Sequence, residues 1–159
     1  MATRVNFRTI SRCSLLMYDL VLIFNESKPA MYDEMFNMLY SRILERIADH
    51  TVNICNTLQK GERMEKEQID ALKGFLEFCS ELFQKAATLY FNVNLFEVND
   101  LVSKKEMIKE KKEMLSKIRG KNISTSTITE EISRIGMYST DIAEITMDAH
   151  CYRHESTRI

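Results

Sequence analysis

An all-α fold, an antiparallel bundle of about five helices, is predicted by three observations. One Pro and four Gly in 159 residues leave few helix breakers. Apolar residues recur at the three-and-four spacing of an amphipathic helix through long uninterrupted stretches, in a Met-, Leu- and Lys/Glu-rich sequence whose side chains lose little freedom in a helix. One helical stretch is also used twice. Arg134-Ile135-Gly136-Met137-Tyr138-Ser139-Thr140-Asp141-Ile142-Ala143-Glu144 follows Arg46 to Asn56 position by position, 88 residues on, with Arg46/Arg134, Ile47/Ile135 and Ile54/Ile142 identical and Ala48/Gly136, Thr51/Ser139 and Asn53/Asp141 close. A helical segment used twice implies a repeated helical unit.

Length and charge bound the rest. A chain of 159 residues holds one ordinary core, so residues 1–159 are expected to form a single domain. Lys+Arg 22 against Asp+Glu 23 gives no reason to expect a nucleic acid or an anionic membrane as partner. The longest apolar run, Leu15 to Phe24, is too short to span a bilayer and contains Asp19. Cys13, Cys55, Cys79 and Cys151 are scattered, three of them in apolar periodic segments, and no signal-peptide pattern is read before them. Reduced, buried thiols in a cytoplasmic protein are the expectation.

In order, Ile10, Cys13, Leu16, Met17, Leu20 and Phe24 make the inner face of a first helix ending near Asn25, and Ser27-Lys28-Pro29 is a turn. The second helix runs from about Ala30 to Gln59, stopped by Lys60-Gly61. Within it Leu44, Ile47, Thr51, Ile54, Cys55 and Leu58 share the core stripe, while Glu45, Asp49, Asn53 and Asn56 share the neighbouring one. Glu65 to Asn92 holds the helical period most closely, through Leu72, Phe75, Leu76, Cys79, Leu82, Phe83, Ala86, Leu89 and Tyr90. Asn92 to Asp100 interrupts or kinks the chain. Leu101, Ile108, Leu115 and Ile118 then form a narrow stripe in a fourth helix stopped by Gly120, and its Lys104–Lys117 run, interleaved with Glu106, Glu110 and Glu113, is expected to be a salt-bridged surface. Thr127 with Glu130 reads as a capping box opening a last helix that ends near His150. Residues 151–159 lack periodicity and form a tail that is disordered or docked on a partner.

Glu45 and Asp49 are the candidate metal-ligating residues, because an i, i+4 carboxylate pair projects from one helix face and can share a cation. The same spacing also describes an ordinary solvated acidic pair. A hard cation takes about six or more oxygen ligands, so two carboxylates make a weak site unless a second chain completes it. Arg46 and Arg134 suit either a carboxylate across the bundle or a phosphate. His50 has no ExxH spacing and reads as an interface residue. His150-Cys151-x-x-His154 offers three soft zinc ligands without a visible fourth. There is no Gly-rich phosphate loop and no Ser/His/Asp or Cys/His order that invites a catalytic reading.

Glu45-Arg46-Ile47-Ala48-Asp49-His50, with Asn53-Ile54 following, resembles the signature helix of the PhoU family of phosphate-uptake regulators, in particular its archaeal members. The resemblance implies tandem three-helix units, each closed by the signature helix. Here residues 1–61 correspond to an incomplete first unit, residues 62–150 to the second, and residues 151–159 to a tail. It also implies acidic motifs that hold metal ions, iron or another divalent ion, at Glu45 and Asp49. The pattern is thinned elsewhere: Ser133 and Met137 replace the acidic pair in the second repeat, Lys111 and Leu115 lie near the second acidic motif, and Phe7 and Ser11 stand at the acidic positions of the first helix. The implied function is that of a non-enzymatic, cytoplasmic regulator of phosphate uptake or phosphate signalling, contacting a transporter component or a sensor kinase. A metal-dependent carboxylate enzyme or metal store, and a helical scaffold unrelated to phosphate, are the alternatives. The shortened first unit leaves Met31, Met35 and Met38 without a cover and points to a homodimer.

Overall fold

The computed structural model describes residues 31–60, 64–118 and 123–156, excluding the side chains of 31–33 and 154–156. Five helices occupy them: α1 Met31–Gln59, α2 Lys66–Phe91, α3 Leu95–Ser103, α4 Lys105–Ser116 and α5 Ile123–Ser156. No strand occurs among the described residues, and the class is all-α. The first helix, the Ser27–Pro29 turn and the stops at Gly61 and Gly120 lie outside the described residues.

α5 is the axis. α1, α2 and the α3–α4 pair all pack on it, α2 also meets α3 and α4, and the backbones of α1 and α2 do not approach one another. Cross-helix contacts fix the directions. His50 meets Glu131 while Arg46 meets Tyr138, so α1 runs antiparallel to α5. Lys105 reaches Glu144 and Lys112 reaches Glu130, so α4 is antiparallel to α5 as well. Lys85 pairs with Asp100 and Lys111 lies over Phe78, so α4 also opposes α2. The two helices that carry the repeat, α1 and α5, thus lie against each other, and Ile47 and Ile135 belong to one hydrophobic cluster.

The local signals that shape the elements are visible. Glu65 is extended and its N–H donates to the Gln68 side-chain oxygen at 3.0 Å, which opens α2. Asn94 accepts from the Phe96 and Glu97 N–H groups and opens α3. The interruption is therefore confined to residues 92–94, and Leu95 to Asp100, expected to be irregular, is helical, with Val98 and Leu101 fully buried. A turn at Lys104 then separates α3 from α4, where a single helix was expected.

The last helix departs most from expectation. Thr127 lies inside it rather than capping it, its hydroxyl donating to the Ile123 carbonyl at 3.0 Å, and Glu130 turns outward to Lys112 and Arg134. The helix also continues through Ser156, so residues 151–156 are helical rather than an aperiodic tail. Being axial explains why its pattern is weak. Ser139, Thr140 and Thr146 are buried among Ile132, Ile142 and Ala143, and each hydroxyl donates to a carbonyl three or four residues back. Satisfied in this way, hydroxyls face the core at little cost, and the contrast between inner and outer faces is blurred.

Close packing has a focus at Gly136. A Cβ there would lie 2.8 Å from the Cys79 sulfur and 3.2 Å from Ile108 Cδ1, so the missing side chain lets α2, α4 and α5 converge. Cys79 is fully buried, and burial pushes its thiol up to about 12 against the lowering effects of its hydrogen bond with the Gly136 backbone and of the Lys111 charge. Cys55 and Cys151 are exposed, which corrects the expectation of buried thiols at both positions, and Cys13 lies outside the described residues. The predicted stripe of α1 is also covered only in part. Ile47 and Ile54 are buried, but Thr51 and Cys55 are exposed and Leu58 is 54% exposed, because α5 is the only described helix whose backbone approaches α1.

Candidate functional site

The repeated motif builds the polar seam between α1 and α5. Helical spacing puts Arg46, His50 and Asn53 on the edge of α1 that meets α5. His50 Nδ1 lies 2.6 Å from Glu131 Oε2, and Asn53 Nδ2 donates to the same oxygen at 3.2 Å. The His50 ring also stacks on Tyr138, with centroids 5.5 Å apart, and the Arg46 guanidinium sits 5.6 Å from the centroid of that Tyr138 ring. A cation over an aromatic face and a shared carboxylate tie the two repeats together.

Beyond Tyr138 the seam becomes charged. Lys105 of α4 reaches both Asp141 at 3.5 Å and Glu144 at 2.7 Å. Burial holds the Asp141 carboxyl above its ordinary value, against the pull of Lys105; the nearby Glu144 charge adds to the rise and Arg46 opposes it. Burial draws Lys105 down, but Glu144 and Asp141 together leave it raised. The rest of the lysine run is laced as expected. Lys104 pairs with Asp100, Lys109 with Glu106 and Lys112 with Glu130, while Lys111 lies over the Phe78 ring.

Glu45 and Asp49 are both exposed, outside the Arg46–His50–Asn53 edge. Among the described residues no group of three or more His, Cys, Asp and Glu side chains is placed to hold a metal ion. A cation at Glu45 and Asp49 would therefore draw its other ligands from water or from another chain. In the second repeat Ser133 is buried and Met137 half-buried, and Arg134 pairs within its own helix with Glu130. The two recurrent arginines thus have different jobs, a cross-helix ring contact and an i, i+4 ion pair. His150-Cys151 lies at the end of α5, with Cys151 exposed; the His154 side chain is outside the described residues.

Sequence reasoning missed Glu131 and Tyr138. Both sit beside residues read for other reasons, the capping pair and the repeat, and no spacing rule marks a residue whose partner is 81 positions away. It also missed an open cleft of about 590 Å³ between α2 and α3, lined by Glu81, Lys85, Thr88, Asn92, Asn94 and Glu97. Lys85 is engaged there with Glu97 and Asp100.

No family model, no curated protein and no solved structure matches this chain. Among the described residues no helix is long and apolar enough to cross a membrane.

Proposed function

We infer that this chain is a non-enzymatic regulator of phosphate uptake or phosphate signalling that acts in the cytoplasm by protein contact, in the manner of the PhoU proteins its motif resembles. The observation that supports this reading most is the division of labour on α1. Arg46, His50 and Asn53 are used inward, on the other copy of the repeat, while Glu45 and Asp49 are left outward. An acidic pair held on a rigid helix face is a surface that can meet a divalent ion, iron included, or a basic patch on a partner. Met35 and Met38, 40% and 55% exposed, add an apolar strip on the same helix through which two copies would associate.

The partner of this reading is a phosphate-transporter component or a sensor kinase. Affinity capture from the native host with the whole chain as bait tests it. Recovery of a transporter ATPase or a sensor kinase, weakened when Glu45 and Asp49 are changed to Gln and Asn, is the expected result. Recovery of unrelated partners alone rejects the phosphate connection. Light scattering at tens of micromolar tests the dimer, and a monomer mass rejects it.

A further inference from the structure

The outward face of α1 has a pattern of its own. Met35, Met38, Arg42, Glu45, Asp49 and Val52 follow one another at alternating spacings of three and four, the 3.5-residue period of a two-helix seam. The stripe lies opposite the buried Tyr40, Ile47 and Ile54. Val52 is half-buried and the other five are exposed, Met35 and Met38 by 40% and 55%. Arg42, Glu45 and Asp49 form no ion pair with any described residue, whereas Lys104, Lys105, Lys109 and Lys112 at the other side of the bundle all do.

We propose that this stripe is the seam on which two copies of the chain pair, α1 against α1 and antiparallel, with Arg42 of each copy bound to Glu45 of the other. The proposal rests on the dimer reading above and gives it a face and a direction. From its N-terminal end the stripe is apolar, apolar, basic, acidic, acidic, apolar, so its two halves complement one another. A parallel pair would set each residue against its own counterpart, Arg42 on Arg42, Glu45 on Glu45 and Asp49 on Asp49, and like charges in contact oppose association. Turning one helix end for end, about a twofold axis between Arg42 and Glu45, changes every layer. Arg42 then meets Glu45 in both central layers, and Met35 meets Val52 at both ends. Met38 stands level with the Asp49 of the other copy, one turn from its own Arg42, whose planar fork can hold both carboxylates. The face is thus complementary to itself, which a site for an unrelated partner need not be. From Met35 to Val52 the stripe spans about 26 Å. In so small a contact the two hydrated ion pairs fix direction more than they add affinity.

Charge reversal in the full chain tests the proposal, read by light scattering at tens of micromolar in low salt. R42E and E45R each put like charges into both central layers, so each variant alone should shift to monomer, its dissociation constant raised at least about tenfold. Mixed in equal amounts, the two variants should form a heterodimer. The double variant R42E/E45R should recover the mass of the parent dimer. In both cases every central layer again holds opposite charges. A parent dimer whose mass neither reversal changes overturns this seam and leaves the dimer to another face. A monomeric parent overturns the dimer reading itself and the seam with it. Reversals that dissociate the parent but are rescued neither by mixing nor by the double variant also overturn the seam, because Arg42 and Glu45 are then not each other's partners.

Discussion

His50 Nδ1 and Glu131 Oε2 lie 2.6 Å apart across the α1–α5 seam, and both side chains are largely buried. Because α5 is the only described helix whose backbone approaches α1, this contact and its neighbours, with the Tyr40–Tyr90 stack on α2, hold α1 in place. Glu131→Ala strips a partner from His50 and Asn53 together and should cost about 1–3 kcal/mol. His50→Ala should cost about 1 kcal/mol, and a double-mutant cycle by urea unfolding should show coupling of about 0.5 kcal/mol or more. Additive single effects would show that the pair contributes nothing jointly.

Gly136→Ala should destabilise by about 1–3 kcal/mol, since the new methyl meets the Cys79 sulfur at 2.8 Å and has Ile108 close on its other side. Removing the sulfur with Cys79→Ala should make the same substitution cheaper than it is in the parent. Denaturant midpoints of the four proteins decide it, and an unchanged cost in the Cys79→Ala background would be the wrong outcome for this explanation.

Thiol chemistry should divide the described cysteines. The thiolate is the reactive form, so exposed Cys55 and Cys151 should alkylate readily at pH 8, while Cys79, buried and pushed up to about 12, should wait for unfolding. Mass mapping after brief iodoacetamide treatment reads this directly. Prompt labelling of Cys79 in the native protein would contradict the packing described around Gly136.

Two carboxylates on α5 should give pH dependences of opposite sign. The hydrogen bond from Lys112 holds Glu130 below its ordinary value, so its contribution is present above the unfolded carboxylate pKa and is lost as pH falls through the depressed folded one. Glu130→Gln should cost about 0.5 kcal/mol at neutral pH, a small figure because both partners are well hydrated, and nothing in strong acid. Asp141 is raised by burial, so its ionisation opposes folding as pH rises through the raised folded value. Stability of Asp141→Asn relative to the parent should therefore climb with pH over that range. Matched pH series of thermal midpoints check both signs.

If a divalent ion binds, the Glu45→Gln, Asp49→Asn pair should abolish its uptake, and the apoprotein should be unchanged or slightly more stable once two neighbouring like charges are gone. Ser133 and Met137 in the second repeat offer only a buried hydroxyl and a thioether, and substituting them should leave uptake intact. Metal analysis of parent and variants after incubation with iron or manganese reads the outcome. Equal uptake by the Glu45/Asp49 variant moves the site elsewhere.

The sequence by itself determined the all-α class, the course of α2, the break after Phe91 and the salt-laced face of α4. Each depends on chemistry within a few residues: the stripe from Leu72 to Leu89, the Asn94 cap, and lysines spaced three or four from carboxylates. Period tells which side of a helix is apolar; it does not tell which neighbour covers that side. Leu58 and Cys55 share a stripe with Ile47 and Ile54, yet only the latter two are buried, because α5 is the only described helix whose backbone approaches α1. The burial of α5 was hidden for a related reason. Hydroxyls satisfied by their own backbone let Ser139, Thr140 and Thr146 be buried, which makes the inner face less apolar than a sequence reader looks for. The pairing of His50 with Glu131 was settled only by the antiparallel crossing of α1 over α5, which brings together residues 81 positions apart that no local rule connects.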